Sequence, residues 1–296
     1  MNRQMEPDLR EALAALAGSE FIKAEFRPSG TGCINETWEA RGGGQSLFFK
    51  MGPLSAYSMY QQERLGLDEL RRCEAIRVPA VIGVLQLDTA AVLVLEFVSL
   101  HSPRPDNDER VGNALAALHH IEGKHFGLSH DNYIGRTPQI NTPDTDWWRF
   151  WCECRMTPQL RLAGLKGMRR QLLEKLETLI EHIPAAFGDH RPKPVLLHGD
   201  LWSGNLAVDS TGKPVLFDPA VYYGDRETDI AMSKMFGAMR PAAYSAYHAH
   251  HPELPGAEHR RQLYDLYHWL NHFNLFGVTY LGQVENTVDD LLSGAN

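Results

Sequence analysis

The chain has 296 residues, 43% of them hydrophobic and 22% charged, a globular composition long enough to bury a core without covalent staples. Basic residues number 29 against 37 acidic ones, a net charge of −8, so no cationic excess exists to neutralise the phosphates of a nucleic acid. Four cysteines are too few for a disulfide scaffold, no apolar run approaches membrane length, and Glu6, Asp8 and Glu11 break up any secretory leader. A cytoplasmic protein with neither nucleic-acid nor membrane partners is expected.

Residues 7–17 predict a short helix with Pro7 and Asp8 in its first turn. Residues 21–27, 34–40 and 45–50 read as strands split by Gly-rich breaks at 28–33 and 41–44. Helical periodicity returns over 55–75. Two β-branched runs, 78–85 and 91–98, flank a turn near Asp88. From Asp108 onward the pattern is helical, interrupted by short apolar stretches at 195–197, 206–208 and 215–217. Ser99, Pro103, Pro105 and Asp106 break both patterns. The expected architecture is α+β and bilobal. A small antiparallel sheet with one prominent helix fills 1–98, and a larger, mainly helical lobe fills 99–296. A ligand cleft is expected between them.

The second half of the chain carries the densest chemistry. Three apolar residues lead into His198-Gly199-Asp200-Leu201-Trp202-Ser203-Gly204-Asn205, and the next hairpin ends at Asp218. Pairing Val208 with Val215 sets Asn205 opposite Asp218. A carboxamide and a carboxylate side by side offer the hard oxygen ligands that suit Mg²⁺ beside a nucleotide. Asp200, on the loop before, is then free to take a proton from a substrate hydroxyl. Asx-turns at a capped hairpin end would place the same residue types there.

In the first lobe, Gly30 and Gly32 would let a backbone loop approach phosphate oxygens, although an ordinary hairpin turn reads the same way. Pairing Ala40 with Gln45 puts Lys50 opposite Asn35, just past that loop. Glu63 shares a helical stripe with Met59, Gly66, Leu67 and Leu70. A carboxylate on an apolar stripe needs a partner, and Lys50 is the candidate. A Gly loop, a strand lysine and a helix glutamate, in that order, form a kinase-type nucleotide site. No G-x-x-x-x-G-K-[ST] motif occurs.

With these residues in place, the sequence resembles the fructosamine/ketosamine-3-kinase family of small-molecule kinases, related to aminoglycoside and choline phosphotransferases. The likeness runs from Gly30-Thr31-Gly32-Cys33-Ile34-Asn35 through Asp131-Asn132-Tyr133-Ile134-Gly135, Gln139, Asn141 and Arg155 to the block from His198 to Asn205. It continues from Asp218-Pro219-Ala220 to Asp225-Arg226-Glu227-Thr228-Asp229. The resemblance implies a kinase using ATP and Mg²⁺ to phosphorylate the 3-hydroxyl of a ketosamine, a glycation adduct, so that the amine is recovered. It implies that Asp200 is the catalytic aspartate and that Asn205 and Asp218 are the metal ligands. It further implies that Lys50, held by Glu63, meets the α- and β-phosphates, that Glu96, Phe97 and Val98 form the hinge that meets adenine, and that Asp229 braces the catalytic loop. Pro219-Ala220 replaces the Phe-Gly of protein kinases, so no phosphorylated activation loop is expected. Another amino sugar, aminoglycoside or amino alcohol is the alternative acceptor. A nucleotide-binding pseudokinase is disfavoured because Lys50, Glu63, Asp200, Asn205 and Asp218 are all present.

Four further expectations concern single residues. Trp202, two residues after Asp200, and the acidic segment from Asp225 to Asp229 are expected to face the substrate amine. Cys33, in the Gly-rich loop, is expected to be an exposed, oxidisable thiol, whereas Cys152 and Cys154 lie among Trp147, Trp148, Phe150 and Trp151 and read as core. His119, on a helical face with Leu115, reads as a buried, satisfied histidine. His248, His250 and His251 read as a solvated loop. A monomer or weak dimer is expected.

Overall fold

The apolar run at 90–95 is the most completely buried strand of the first lobe, and the reason for its composition is that both its faces are covered. The computed structural model describes residues 5–29 and 36–294. A helix, Met5–Ala17 (α1), and a 3-10 turn, Ser19–Lys23, precede the strands Glu25–Pro28 (β1), Glu36–Gly42 (β2) and Gln45–Pro53 (β3). Helix Tyr57–Leu70 (α2) and strands Val81–Gln86 (β4) and Ala90–Glu96 (β5) follow. The five strands form one antiparallel sheet in the order β1-β2-β3-β5-β4. Leu9 and Leu13 of α1 cover Phe49, Val92 and Val94 on one face. Leu67 and Leu70 of α2 cover Leu93 and Leu95 on the other.

The second lobe opens with Asp108–Leu118 (α3) and a hairpin, Asn132–Ile134 (β6) and Thr137–Gln139 (β7). Helix Trp147–Phe150 (α4) is N-capped by the Asp146 side chain, which accepts from the Arg149 N–H. It runs through a π-helical turn, Trp151–Met156, into Thr157–Leu165 (α5), followed by Arg170–Phe187 (α6). Four short strands come next: Val195–Leu197 (β8), Leu206–Val208 (β9), Pro214–Leu216 (β10) and Tyr222–Gly224 (β11). They pair as β8 with β11 and β9 with β10. Helices Glu227–Met235 (α7), Pro241–His250 (α8), Ala257–Phe276 (α9) and Leu281–Gly294 (α10) close the chain. Trp147, Trp148, Phe150 and Trp151 form the centre of a core that α6, α9 and α10 complete. The molecule has the bilobal, kinase-like α+β fold.

Several expected boundaries change. The expected strand at 21–27 begins only at Glu25, because Ser19–Lys23 is wound as a 3-10 turn. The helix expected over 55–75 is Tyr57–Leu70. In the β2–β3 hairpin Gly42 pairs with Gln45, not Ala40 with Gln45. Gly43 and Gly44 both take positive φ, 58° and 79°, a two-residue turn whose twist matches the strands. Lys50 therefore faces Thr37 rather than Asn35. In the β9–β10 hairpin Val208 pairs with Pro214, so Asn205 is level with Phe217, one residue short of Asp218. The β6–β7 hairpin and β11 were not expected. His250 closes α8 and its ring bonds to Asn113, and the His251 ring bonds to the Ala116 carbonyl, so the three histidines do not form a solvated loop.

Candidate active site

Between the lobes lies a cavity of about 610 Å³, within the size range of small-molecule sites. Its wall includes Lys50, Glu63, Glu96, Phe97, Val98, Asp200, Trp202, Asn205 and Asp218. Strand β3 delivers Lys50 from the sheet, and α2 delivers Glu63 to meet it. Lys50 is 5% exposed. Its Nζ donates to Glu63 Oε1 at 2.7 Å and to Asp218 Oδ1. Burial works against the ammonium, but Asp218 and Glu63 outweigh it and hold Lys50 protonated. Burial pushes Glu63 upward, Lys50 pulls it back, and Asp218 pushes it up again. Thus one cation ties the first lobe to the end of the β9–β10 hairpin.

Asp218 itself has φ of 55°, the one non-glycine with positive φ among the described residues. A left-handed aspartate is a locally unfavourable conformation that neighbours must hold in place. The β6–β7 hairpin does so. Asn132 Nδ2 donates to the Val221 carbonyl at 2.8 Å, and Gln139 Nε2 to the Ala220 carbonyl at 3.1 Å. Asn132 Oδ1 accepts from Gln139 and Asn141, both at 2.9 Å. Behind them Arg155, fully buried, donates to Asn141 Oδ1 at 2.8 Å and lies over the Tyr222 ring, 4.0 Å from its centroid.

Asp200 sits on the loop between β8 and β9. Burial, then the neighbouring Asp218 carboxylate, lifts its carboxyl to about 7 against the pull of the Asn205 amide. Asn205 Nδ2 spends its donors on the Asp200 carbonyl at 2.9 Å, Asp200 Oδ2 at 3.2 Å and the Asp218 carbonyl at 3.3 Å. Asn205 and Asp218 both line the cavity, and the Asn205 Oδ1 and the second Asp218 oxygen are not committed to these bonds. That donor set, one carboxamide and one carboxylate oxygen, is what a hard divalent cation takes alongside phosphates.

The loop carrying Asp200 is fixed from behind. Gly199 has φ of 81°, and a Cβ there would lie 2.0 Å from the Ala220 carbonyl oxygen, so only glycine fits. His198 is fully buried; its Nδ1 accepts from the Asp200 N–H at 3.2 Å and its Nε2 donates to the Phe217 carbonyl at 3.0 Å. Burial pushes this imidazole down, so it serves as a neutral spacer. Asp229 accepts from the His198 N–H at 2.7 Å and the Gly199 N–H at 2.9 Å.

Two expected site residues lie elsewhere. Asp225 is fully buried and accepts from His190 Nε2 and the Tyr264 hydroxyl, both at 2.7 Å. Asp229 is 1% exposed and committed to the loop. Neither reaches the cavity, so their expected contact with a substrate amine is corrected: both are internal supports. Trp202 does line the cavity. Gly30, Gly32 and Cys33 lie outside the described residues. Cys154 is buried, and burial pushes the Cys152 thiol up to about 12.

Sequence reasoning overlooked Asn132, Tyr133 and Gln62 as wall residues. The buried Gln62 Oε1 has no hydrogen-bond partner among the described residues. Asn132 and Tyr133 fall within a quoted motif, but no role followed from spacing alone.

Residues 5–294 match the family model described as fructosamine kinase. A Synechocystis protein provisionally named a ketoamine kinase is 39% identical over 285 residues, 96% of each chain. The chloroplastic protein-ribulosamine 3-kinase of Arabidopsis thaliana is 39% identical over 266 residues, 89% of this chain and 81% of that one. The crystal structure of a Haemophilus somnus protein, provisionally named a fructosamine-3-kinase, superposes with a TM-score of 0.87 at 27% identity, covering 96% of both chains. Among the described residues, no helix is long and apolar enough to cross a membrane.

Proposed function

Because this chain belongs to the fructosamine kinase family, we propose that it transfers the γ-phosphoryl group of ATP to the 3-hydroxyl of a ketosamine of the fructosamine or ribulosamine type. The carrying observation is the convergence of Lys50, Asp200, Asn205 and Asp218 on one cavity. In this reading the ketosamine hydroxyl lies against Asp200, which accepts its proton as the oxygen attacks the γ-phosphorus and ADP leaves. Lys50 neutralises the α- and β-phosphates and Glu63 keeps it aimed. Asn205 Oδ1 and Asp218 would hold Mg²⁺, which when bound offsets the charge of the phosphates. Glu96 is the last paired residue of β5, and the backbone that continues from it through Phe97 and Val98 would meet adenine. Trp202 offers its ring to the sugar. The boundary between the lobes falls at 98/99 in this scheme, and the protein acts in the cytoplasm as a monomer or weak dimer.

The test is ATP consumption with ribated and glycated lysine, beside choline and an aminoglycoside. Turnover confined to the ketosamines is expected, with product carrying phosphate at the 3-position. Asp200→Asn should keep nucleotide affinity and lose about 10²–10⁴-fold in kcat. Preferred turnover of choline or the aminoglycoside would overturn the substrate reading. Wild-type turnover in the Asn variant would overturn the role of Asp200.

A further inference from the structure

Arg155 is fully buried, yet its hydrogen-bond partners among the described residues include no carboxylate. An unpaired buried charge is costly to keep, so its surroundings matter. The residue sits in the π-helical turn Trp151–Met156, where the Thr157 N–H reaches back to the Cys152 carbonyl. Widened turns of this kind recur at functional sites. The guanidinium lies over two rings, 4.7 Å from the Phe150 centroid and 4.0 Å from that of Tyr222. Its N–H groups donate to the carbonyls of Ile140 and Cys154 and, at 2.8 Å, to Asn141 Oδ1.

The bond to Asn141 fixes the polarity of a chain of amides. A carboxamide can turn end for end about its terminal torsion at little cost, so a neighbour must dictate which end faces it. Arginine does so without ambiguity, because it only donates and keeps its proton. Asn141 must present Oδ1 to Arg155, which leaves its Nδ2 to donate to Asn132 Oδ1 at 2.9 Å and to the His130 carbonyl at 3.1 Å. With Oδ1 so occupied, Asn132 turns Nδ2 to the Val221 carbonyl at 2.8 Å. Gln139 adds a parallel bond to the Ala220 carbonyl. Ala220 and Val221 stand two and three residues after the left-handed Asp218. We propose that Arg155 is a positioning residue for the divalent cation, acting through Asn141 and Asn132 on the backbone that holds Asp218 at positive φ. This inference rests on the proposed role of Asp218 as a metal ligand.

A merely structural arginine and a positioning one differ in what their loss moves. Loss of the first lowers the number of ADP-binding sites per chain. Loss of the second leaves the sites in place and lowers the gain in ADP affinity that Mg²⁺ brings. The variants are Arg155→Met, which keeps bulk without donors; Arg155→Lys, which keeps a side chain that only donates; and Asn141→Asp. The last gives Arg155 a carboxylate partner but turns an acceptor, in place of a donor, towards Asn132. Each is titrated by calorimetry with ADP, with and without Mg²⁺, beside Asp218→Asn, and turnover of a ribated lysine is followed against Mg²⁺ concentration.

Arg155→Met is expected to lose about tenfold of the Mg²⁺-dependent gain, the scale of one left-handed residue released from its supports. Its metal-free ADP Kd should stay within about twofold of wild type, and half-maximal turnover should need about tenfold more Mg²⁺. Arg155→Lys should keep more of the gain than Arg155→Met. A wild-type Mg²⁺ gain in Arg155→Met, or an Arg155→Lys variant no better than Arg155→Met, overturns the proposal. If Arg155→Met binds no nucleotide, Asn141→Asp decides: a reduced gain at unchanged metal-free Kd supports the proposal, and a wild-type gain overturns it. A full Mg²⁺ gain in Asp218→Asn would instead reject the metal role of Asp218, whatever the Arg155 series shows.

Discussion

At the scale of single residues, Asp200 carries a conflict between chemistry and stability. Burial and the Asp218 charge raise its carboxyl to about 7 in the folded chain, whereas an unfolded aspartate titrates near 3.9. The folded state thus binds the proton more tightly. The contribution to stability is fully present below about pH 4 and is lost as pH rises through about 7. Asp200→Asn removes the ionisation, so the nucleotide-free variant should exceed wild type in stability by about 1–2 kcal/mol at pH 8, with the gain shrinking towards pH 4. Denaturant melts across that pH range check it; a gain independent of pH would contradict the assignment. The Lys50–Glu63 pair was legible in the sequence, because a carboxylate on an apolar helix stripe requires a cation. The fate of Asp225 was not. It reads as part of an exposed acidic run until β11 and α7 fold it inward against His190 and Tyr264.

At the scale of elements, hairpin registers were the least legible part of the chain. Both were misplaced because a turn fixes the pairing of every residue beyond it, and the Gly43–Gly44 turn is shorter than its Gly-rich surroundings suggested. The alternation of burial within each strand was readable; the number of residues left in the loop was not. The loop between β8 and β9 has a stricter requirement. Gly199→Ala would place a methyl 2.0 Å from the Ala220 carbonyl in a left-handed backbone. A loss of about 2–4 kcal/mol is expected, together with most of the turnover. Thermal melts and a kcat measurement on the residual folded enzyme check both halves. A variant with wild-type stability would mean that the loop and Ala220 can separate without cost.

At the scale of the whole molecule, the two lobes were foreseeable from a strand-rich first third and a helical remainder, but not how they are joined. The Arg77 N–H donates to the Pro214 carbonyl at 2.7 Å, and the Leu216 N–H to the Arg77 carbonyl at 3.1 Å. On the other edge of the β9–β10 hairpin, His101 and Val208 exchange two backbone bonds, each 2.9 Å. The Arg77 side chain adds bonds to Glu96 at 2.6 Å and to Asp209 at 2.9 Å. Asp209 is held well below the usual carboxylate range by the Thr211 hydroxyl first, and then by Arg77 and nearby backbone N–H groups. Its contribution is present above about pH 4 and lost as pH falls below that. Arg77→Met should cost about 1 kcal/mol at pH 7, since the guanidinium is a third exposed. Urea melts of the variant beside wild type measure the loss. Equal midpoints would mean that the two ion pairs add nothing to stability.

The stitching of that hairpin on both edges also has a mechanical meaning. The strands that end at Asn205 and lead to Asp218 sit at the rivet of a pair of shears, not on a blade. Any angular displacement of one lobe against the other leaves the rivet nearly still, and travel grows with radius. In the sheet order β1-β2-β3-β5-β4, β4 and β5 lie close to the rivet and β1 at the far end of the arm. A few degrees of rotation would therefore carry β1 through the longest arc and β4 through the shortest. Meanwhile the oxygens of Asn205 and Asp218 keep their spacing to within a fraction of that travel.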